Sequence, residues 1–440
     1  MKSRSLVIDN GADTMKIGFA GEDMSTPRGV IPNRFGTLPK QITKLYGEDT
    51  VKLMKNKATL RYKIPFERGY MIDPDCQEEI WSDTFSKRKL NIDPKQCNLL
   101  LTEPYLNPRP LREQTNELVF EKFQFQSAAY RTPAELTSLD LAFDPTRKGS
   151  SHCVLVLDLG FSFTHAVPVY KHRPIRDAIR RVSVGTLRYV ISLSLFLPPS
   201  NKNTHTHTHT HAHTTGGKLL TNYLKELVSY RAYNMMEDTY LMNRIKQELC
   251  FVSSDIMNDL RKSSEANKRL RREYVLPDFV NSMDGYVRPL NTAPKVGEQT
   301  LVLQNERVAV PEVLFHPTDI GMKEGGVVDA VIQAVESSPE YLRPSLYANI
   351  VITGGSSKFK GLIDRVKTEL RSRVPHDIEL NVTTARGDSA LSAWRGGIQW
   401  ASSSSDDLPT KFVTDFHDGD VLITKQKYEE AGHDAMLRLG

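Results

Sequence analysis

The sequence predicts a duplicated α/β architecture with a cleft between its halves, and three segments carry that reading. Leu6-Val7-Ile8-Asp9-Asn10-Gly11 and Leu155-Val156-Leu157-Asp158-Leu159-Gly160 share one form, an apolar strand ending in an acid and then a glycine. Asn349-Ile350-Val351-Ile352-Thr353-Gly354-Gly355-Ser356-Ser357 is a third apolar strand, running into a glycine pair.

Each of the first two strands is followed by a second alternating run, Met15 to Ala20 and Thr164 to Val169, so both read as hairpins closed by a glycine-containing turn. The third feeds a helix with Leu362, Ile363, Val366 and Leu370 on one face. Leu219 to Met235 is a further amphipathic helix, with Leu220, Tyr223, Leu224, Leu227 and Val228 in one stripe. Tyr240 to Leu260 reads as one continuous helix through Leu241, Ile245, Leu249 and Ile256. Gln114 to Phe125 gives a weaker helical pattern. Ser402 to Ser405 and Asp415 to Asp420 read as surface loops.

Length and composition fit this picture. A chain of 440 residues exceeds what one core supports, so two to four lobes are expected. Apolar residues are 39% and charged residues 25%, ordinary for a globular protein. The net charge of +5 is too small over this length to announce a nucleic-acid binder. Four cysteines, Cys76, Cys97, Cys153 and Cys250, lie far apart without a C-x-x-C pair, which argues for a reducing compartment and against a disulfide framework. The start, MKSRSLVIDNG, has no secretory apolar region, and the longest apolar run, Tyr189 to Leu197, is about half a bilayer span. A soluble intracellular protein is the expectation.

The acid-glycine turns point to chemistry. A carboxylate at a strand end can hold a hydrated Mg²⁺, while open backbone N–H groups in the turn bind phosphate oxygens. Two such hairpins facing each other could grip a magnesium nucleotide from both sides. One D-x-G alone is weak evidence, and three ordinary strand-to-turn transitions are its bland alternative.

At this point the residues resemble the actin family. IDNGADTMKIGFAGED is similar to the first phosphate loop of actin, LDLGFSFTHAVPVY to the second, and LYANIVITGGSSKFKGLIDR to the adenosine-binding segment. LTEPYLNPRPLREQ, IKQELCFV and TKQKYEEAG also match, in order, over nearly the whole chain. GGKLLTNYLKELVSYR, YVLPDF, NERVAVPEVLFHPTDIG and the F-Q-F-Q segment resemble a nuclear branch of the actin-related proteins.

The resemblance implies an actin-like fold of two lobes and four subdomains around a nucleotide cleft. Subdomain 1 would comprise 1–34, 69–150 and 390–440; subdomain 2, 35–68; subdomain 3, 151–184 and 300–389; subdomain 4, 185–299. It places Asp9, Gly11 and Lys16 on the first phosphate loop and Asp158 and Gly160 on the second. Lys246 and Gln247 would contact adenine and ribose, and Gly354, Gly355 and Phe359 would line the adenosine side, Phe359 replacing a tyrosine. ATP with Mg²⁺ is the implied cofactor, the metal reaching Asp9 and Asp158 through the nucleotide. Each of these residues could instead simply maintain the hinge-like core.

The departures from the family matter more. Actin's serine and second glycine after D-N-G become Ala12 and Asp13, removing a hydroxyl donor and adding a carboxylate that repels phosphate oxygens. The D-G of the second loop becomes Phe161-Ser162. Where actin positions attacking water with a glutamine, Thr132 to Leu136 contains none, and Pro133 aligns there. Phosphoryl transfer depends on positioning and charge stabilisation, so the expectation is a pseudo-ATPase. Phe35 to Leu60 is basic and lacks actin's glycine- and methionine-rich loop, so no filament is expected. What the resemblance implies is a nuclear structural subunit, present also in cytoplasm, of a Swr-type remodeller that exchanges a variant core histone. Its partners would be the remodeller ATPase and a zinc-HIT-domain subunit, with histones or nucleosomal DNA as further contacts and no membrane. The rivals are an active actin-like ATPase and a cytoskeletal actin-related protein.

Three features stay outside this frame. Arg261, Lys262, Lys268, Arg269, Arg271 and Arg272 form a basic cluster that reads first as a solvated helix end, with phosphate contact second. His205, His207, His209, His211 and His213 alternate with Thr or Ala, a repeat without the supporting shell of a metal site. His165 reads equally as core or ligand. The histidine tract belongs to a low-complexity insert, 186–215. The family pattern V-x-V-G-G-K-L-L is interrupted by thirty-one residues between Gly185 and Gly217. Codons at both junctions can hold splice-site sequences, so an in-frame intron read as coding sequence explains the insert better than a loop.

Overall fold

The structure is a computed structural model, and it describes residues 4–37, 44–54, 61–144, 152–182, 216–264, 270–278, 285–402 and 423–431. The insert at 186–215, both proposed C-terminal loops beyond Ser402, and residues 265–269 of the basic cluster lie outside the described residues.

Two mixed sheets organise the molecule, and they are built alike. The first runs, in the order of pairing, from β3 (Gly29–Pro32) through β2 (Thr14–Phe19), β1 (Arg4–Asn10) and β4 (Cys97–Thr102) to β5 (Ser127–Arg131), with Ile423–Thr424 on its far edge. The second runs from β8 (Arg173–Pro174) through β7 (Thr164–Tyr170), β6 (Cys153–Leu159) and β9 (Ile350–Thr353) to β10 (Val382–Thr384). In each sheet the first three strands are antiparallel neighbours and the last two join in parallel. The duplication read from the acid-glycine repeat is therefore a duplication of whole sheets. Small antiparallel sheets at 35–63 and 272–303 extend the two halves.

The central strands are buried on both faces, as parallel pairing with helical cover demands. Leu155, Val156, Leu157 and Leu159 are fully inaccessible in β6, as are Leu6 and Ile8 in β1. Helix α1 (Pro133–Ala142) and helix α2 (Ser392–Ser402) lie on the first half and meet at Gly396, where any side chain would overlap the Leu136 carbonyl. Beneath that contact Asp140 is wholly buried. It accepts hydrogen bonds from Arg395 Nη2 at 2.9 Å and Ser392 Oγ at 2.9 Å, with Arg386 Nη2 at 3.1 Å. A buried carboxylate needs such partners, because desolvating an unpaired charge is prohibitive.

Two helices differ from their sequence patterns. The expected single helix over 240–260 is two, Thr239–Leu249 and Ile256–Ser264. Between them Phe251 N–H donates to Arg307 O and Val252 N–H to Lys360 O, so the backbone leaves the helix to bond neighbouring elements. Asp255 then restarts it, its carboxylate accepting from Asn258 N–H. The weak signal at 114–125 belongs to a helix beginning earlier, Arg109–Asn116, which widens into a π-helical turn over Glu117–Lys122. The helix expected from Leu219 spans Gly217–Arg231, with Leu220, Leu224 and Val228 buried. All four cysteines are buried free thiols. No helix among the described residues is long and apolar enough to cross a membrane.

Candidate functional site: a two-loop cleft

Between the duplicated sheets lies a cleft of about 560 Å³, and all ten site residues read from the sequence line it. Strand ends create it. Hairpin β1–β2 pairs Asp9 with Lys16 across its rungs, and hairpin β6–β7 pairs Asp158 with His165. Gly11 and Gly160 turn the two chains, and a Cβ at Gly11 would press on Thr14 O at 2.7 Å. Gly354 ends β9 at φ +91°, a conformation that L side chains avoid, and a Cβ there would overlap Leu159 O. The three turns therefore meet because glycine allows β9 to close against β6.

The two acids have different surroundings. Asp9 Oδ2 accepts from Lys16 Nζ at 2.9 Å and Oδ1 accepts from Thr102 Oγ1 at 3.0 Å. Burial works to lower the Lys16 ammonium, but Asp9, Asp13 and Asp158 together leave it raised, so Lys16 is a fixed cation. The Asp158 carboxylate has no side-chain hydrogen-bond partner among the described residues, its backbone alone being paired in the sheet. Burial, reinforced by Asp9 and opposed by Lys16, pushes its carboxyl up to about 6. The N–H groups of Ala12, Asp13 and Ser162 likewise have no protein acceptor among the described residues. Open donors, a locked lysine and one uncommitted carboxylate suit a phosphate chain with its hydrated Mg²⁺. Among the described residues no three acids, histidines or cysteines converge as a protein-only metal site, so a metal here would need a nucleotide to complete its shell.

On the adenosine side the residues assemble, but one is committed elsewhere. Lys246 is 3% exposed and donates to Gly217 O at 2.7 Å and Thr221 Oγ1 at 2.8 Å. Burial lowers its ammonium to about 8, against Cys250 and Asp13, which raise it. Lys246 thus pins the Thr239–Leu249 helix to the start of Gly217–Arg231, a structural task whether or not a ligand is present. Gln247 is exposed on the cleft wall, and Phe359 is buried at the end of the 3₁₀ turn Gly355–Lys358.

The departures sit inside the cleft. Ala12, Asp13, Phe161, Ser162 and Pro133 all line it, and Gln247 is the one glutamine among the described lining residues. Pro133 opens helix α1, whose start is held by Thr132 and Glu135 in a capping box. Asp13 is less repulsive than its sequence context implies, since Arg34 Nη1 lies 3.9 Å from its Oδ1. His165 is half-buried on the cleft wall, with Tyr105 at 4.6 Å and Phe163 at 5.7 Å between ring centroids. Burial, and secondarily Arg181, lowers it to about 3, so it stays neutral at physiological pH. Sequence reasoning missed Thr102, Tyr105 and Arg34. The only signal for Thr102 was its place at the end of an apolar strand, and Arg34 gave none.

The family model described as Actin matches residues 1–438. The chain belongs to the actin family. Proteins named actin-related protein 6 are similar along essentially their whole length. That of Arabidopsis thaliana is 36% identical over 461 aligned residues, covering 98% of this chain and 97% of the relative. Those of Drosophila melanogaster and Dictyostelium discoideum are 31% and 30% identical, with 98% of this chain covered in each and 98% and 93% of the relatives.

Proposed function

We propose that this protein is a non-catalytic, actin-fold structural subunit of a nuclear remodelling complex that exchanges a variant core histone. One observation carries the reading: the cleft keeps both phosphate turns but presents Ala12, Phe161 and Pro133 where hydrolysis needs a hydroxyl, a metal-ordering carboxylate and a water-positioning amide. With those groups gone, the remaining value of the fold is its shape. ATP with Mg²⁺ would be held by Lys16, Asp158 and the turn N–H groups, supplying contacts between the halves.

The surfaces then act as a platform for a remodeller ATPase subunit and a zinc-HIT-domain subunit, with histone or nucleosomal DNA nearby. Residence is nuclear with a cytoplasmic fraction, and the protein does not polymerise. The similarity to proteins named actin-related protein 6 supports this choice over a cytoskeletal role.

Affinity capture of the full chain from fractionated nuclei, read by mass spectrometry, tests it. Stoichiometric recovery of a Swr-type ATPase and a zinc-HIT protein is expected. Recovery instead of dynactin or branching-complex subunits from cytosol would overturn it.

A further inference from the structure

Arg34 follows β3 and lies at the junction of three groups. Its side chain is 12% exposed, with Nη1 3.9 Å from Asp13 Oδ1 in the first turn. Its guanidinium carbon is 5.6 Å from the Tyr62 ring centroid and 5.8 Å from that of Tyr240. Tyr62 belongs to the strand Arg61–Lys63 of the first half, while Tyr240 opens the Thr239–Leu249 helix of the second. One arginine is thus anchored by a carboxylate of the cleft and touches a ring from each half.

A second arginine makes the reverse connection. Arg181 extends from the strand Arg180–Val182 beside β7, with its guanidinium carbon 4.5 Å from the Phe163 ring centroid. Its Nη1 donates to Tyr70 Oη at 3.1 Å, and that hydroxyl donates to Tyr105 O at 3.3 Å. Tyr70 and Tyr105 belong to the first half and Phe163 to the second, their rings meeting edge-on for Tyr70 and Phe163. Gly69, at φ +73°, brings the backbone close enough that a Cβ would lie 2.6 Å from the Phe163 ring.

We propose that Arg34 and Arg181 are clasps that hold the cleft closed without a nucleotide. In a cleft gripped from two sides, a bound anion normally draws the halves together. Here Asp13 places a fixed anion in the first turn, and Arg34 relays it to a ring of the opposite half. Each arginine–ring contact shifts an open–closed balance by roughly two- to thirty-fold, and the effects of the two clasps multiply when they act on the same motion. The clasps do not require that the protein bind ATP, so they stand apart from the functional proposal.

Amide hydrogen exchange on ligand-free, full-length protein tests this. Peptides covering 62–71 and 239–249 are expected to exchange slowly in the wild type. Arg34→Ala and Tyr240→Ala should each accelerate both regions several-fold, and Arg181→Ala should accelerate 69–71 and 160–165. Strand Cys153–Leu159, which reports global folding, should stay unchanged. Tyr240→Ala leaves the Asp13–Arg34 pair intact and so keeps the test valid if Arg34→Ala disturbs folding. Wild-type exchange at both rims in Tyr240→Ala, or ligand-free wild-type rims as fast as those of the variants, would overturn the proposal.

Discussion

Asp158 shows how much one side chain can reveal. Its carboxyl is raised to about 6 by burial and by Asp9, with Lys16 in opposition. An acid whose folded pKa exceeds its unfolded value binds more protons when folded, so its contribution to stability declines as pH rises from about 4 through about 6. Asp158→Asn removes that penalty. At pH 7 the variant should be more stable than wild type, by on the order of 2 kcal/mol, and the gain should vanish near pH 4. Urea titrations at the two pH values, without nucleotide, check this, and a variant less stable at pH 7 would contradict it. His165 has the opposite sign. Its pKa is lowered to about 3, so stability is lost as pH falls from about 6.5 towards that value, and His165→Phe should reduce the loss.

At this scale the sequence was informative wherever chemistry follows from chain-neighbour patterns. Asp9, Gly11, Asp158 and Gly160 stand out because each sits at a strand end before a turn. Arg34 and Thr102 do not, because each is defined by a partner distant in sequence. Asn10 N–H bonds Thr102 Oγ1 across ninety-two positions, a contact no local pattern announces.

Among elements, the contact of helices α1 and α2 is the tightest joint. Gly396 has no room for a Cβ against Leu136 O, and Gly397 would press on the Val7 side chain at 2.8 Å. Gly396→Ala should therefore destabilise the first half rather than stabilise its helix, despite alanine's better propensity. Below it, Arg395→Ala would leave Asp140 buried with fewer donors, at a cost of about 3–5 kcal/mol. Differential scanning calorimetry reads both, and a Tm equal to wild type in either would refute this account of the joint.

Elements were legible in proportion to their periodicity. The hairpins and the helix Leu362–Arg371 follow their apolar patterns closely. The break at 250–255 was hidden, because Leu249 and Ile256 keep helical spacing across a segment whose N–H groups bond Arg307 and Lys360 instead. Helix α2 and its buried Asp140 partner were invisible, since their pairing joins residues more than two hundred and fifty positions apart.

For the whole molecule, the low-complexity insert 186–215 is the clearest discontinuity in the sequence. The residues flanking it are held by one hairpin: Val182 pairs with Thr164, while Gly217 N–H donates to Gly160 O at 3.1 Å and Lys218 N–H to Phe161 O at 2.9 Å. Its ends thus attach a few residues apart, where a short link serves. Deleting 186–216, which restores V-x-V-G-G-K-L-L, should leave Tm within about 2 °C of the full chain, because loop length weighs only weakly on stability. Sequencing the transcript is the companion test, with those codons expected to be absent from mature message.

On the proposed function, the cleft persists as architecture while its hydrolytic groups are gone. Phosphate release by the purified full-length protein under saturating magnesium ATP tests it most directly, with Asp158→Ala alongside. Equal background rates are expected for both proteins. Turnover comparable to that of a filament-forming actin, lost in Asp158→Ala, would contradict it.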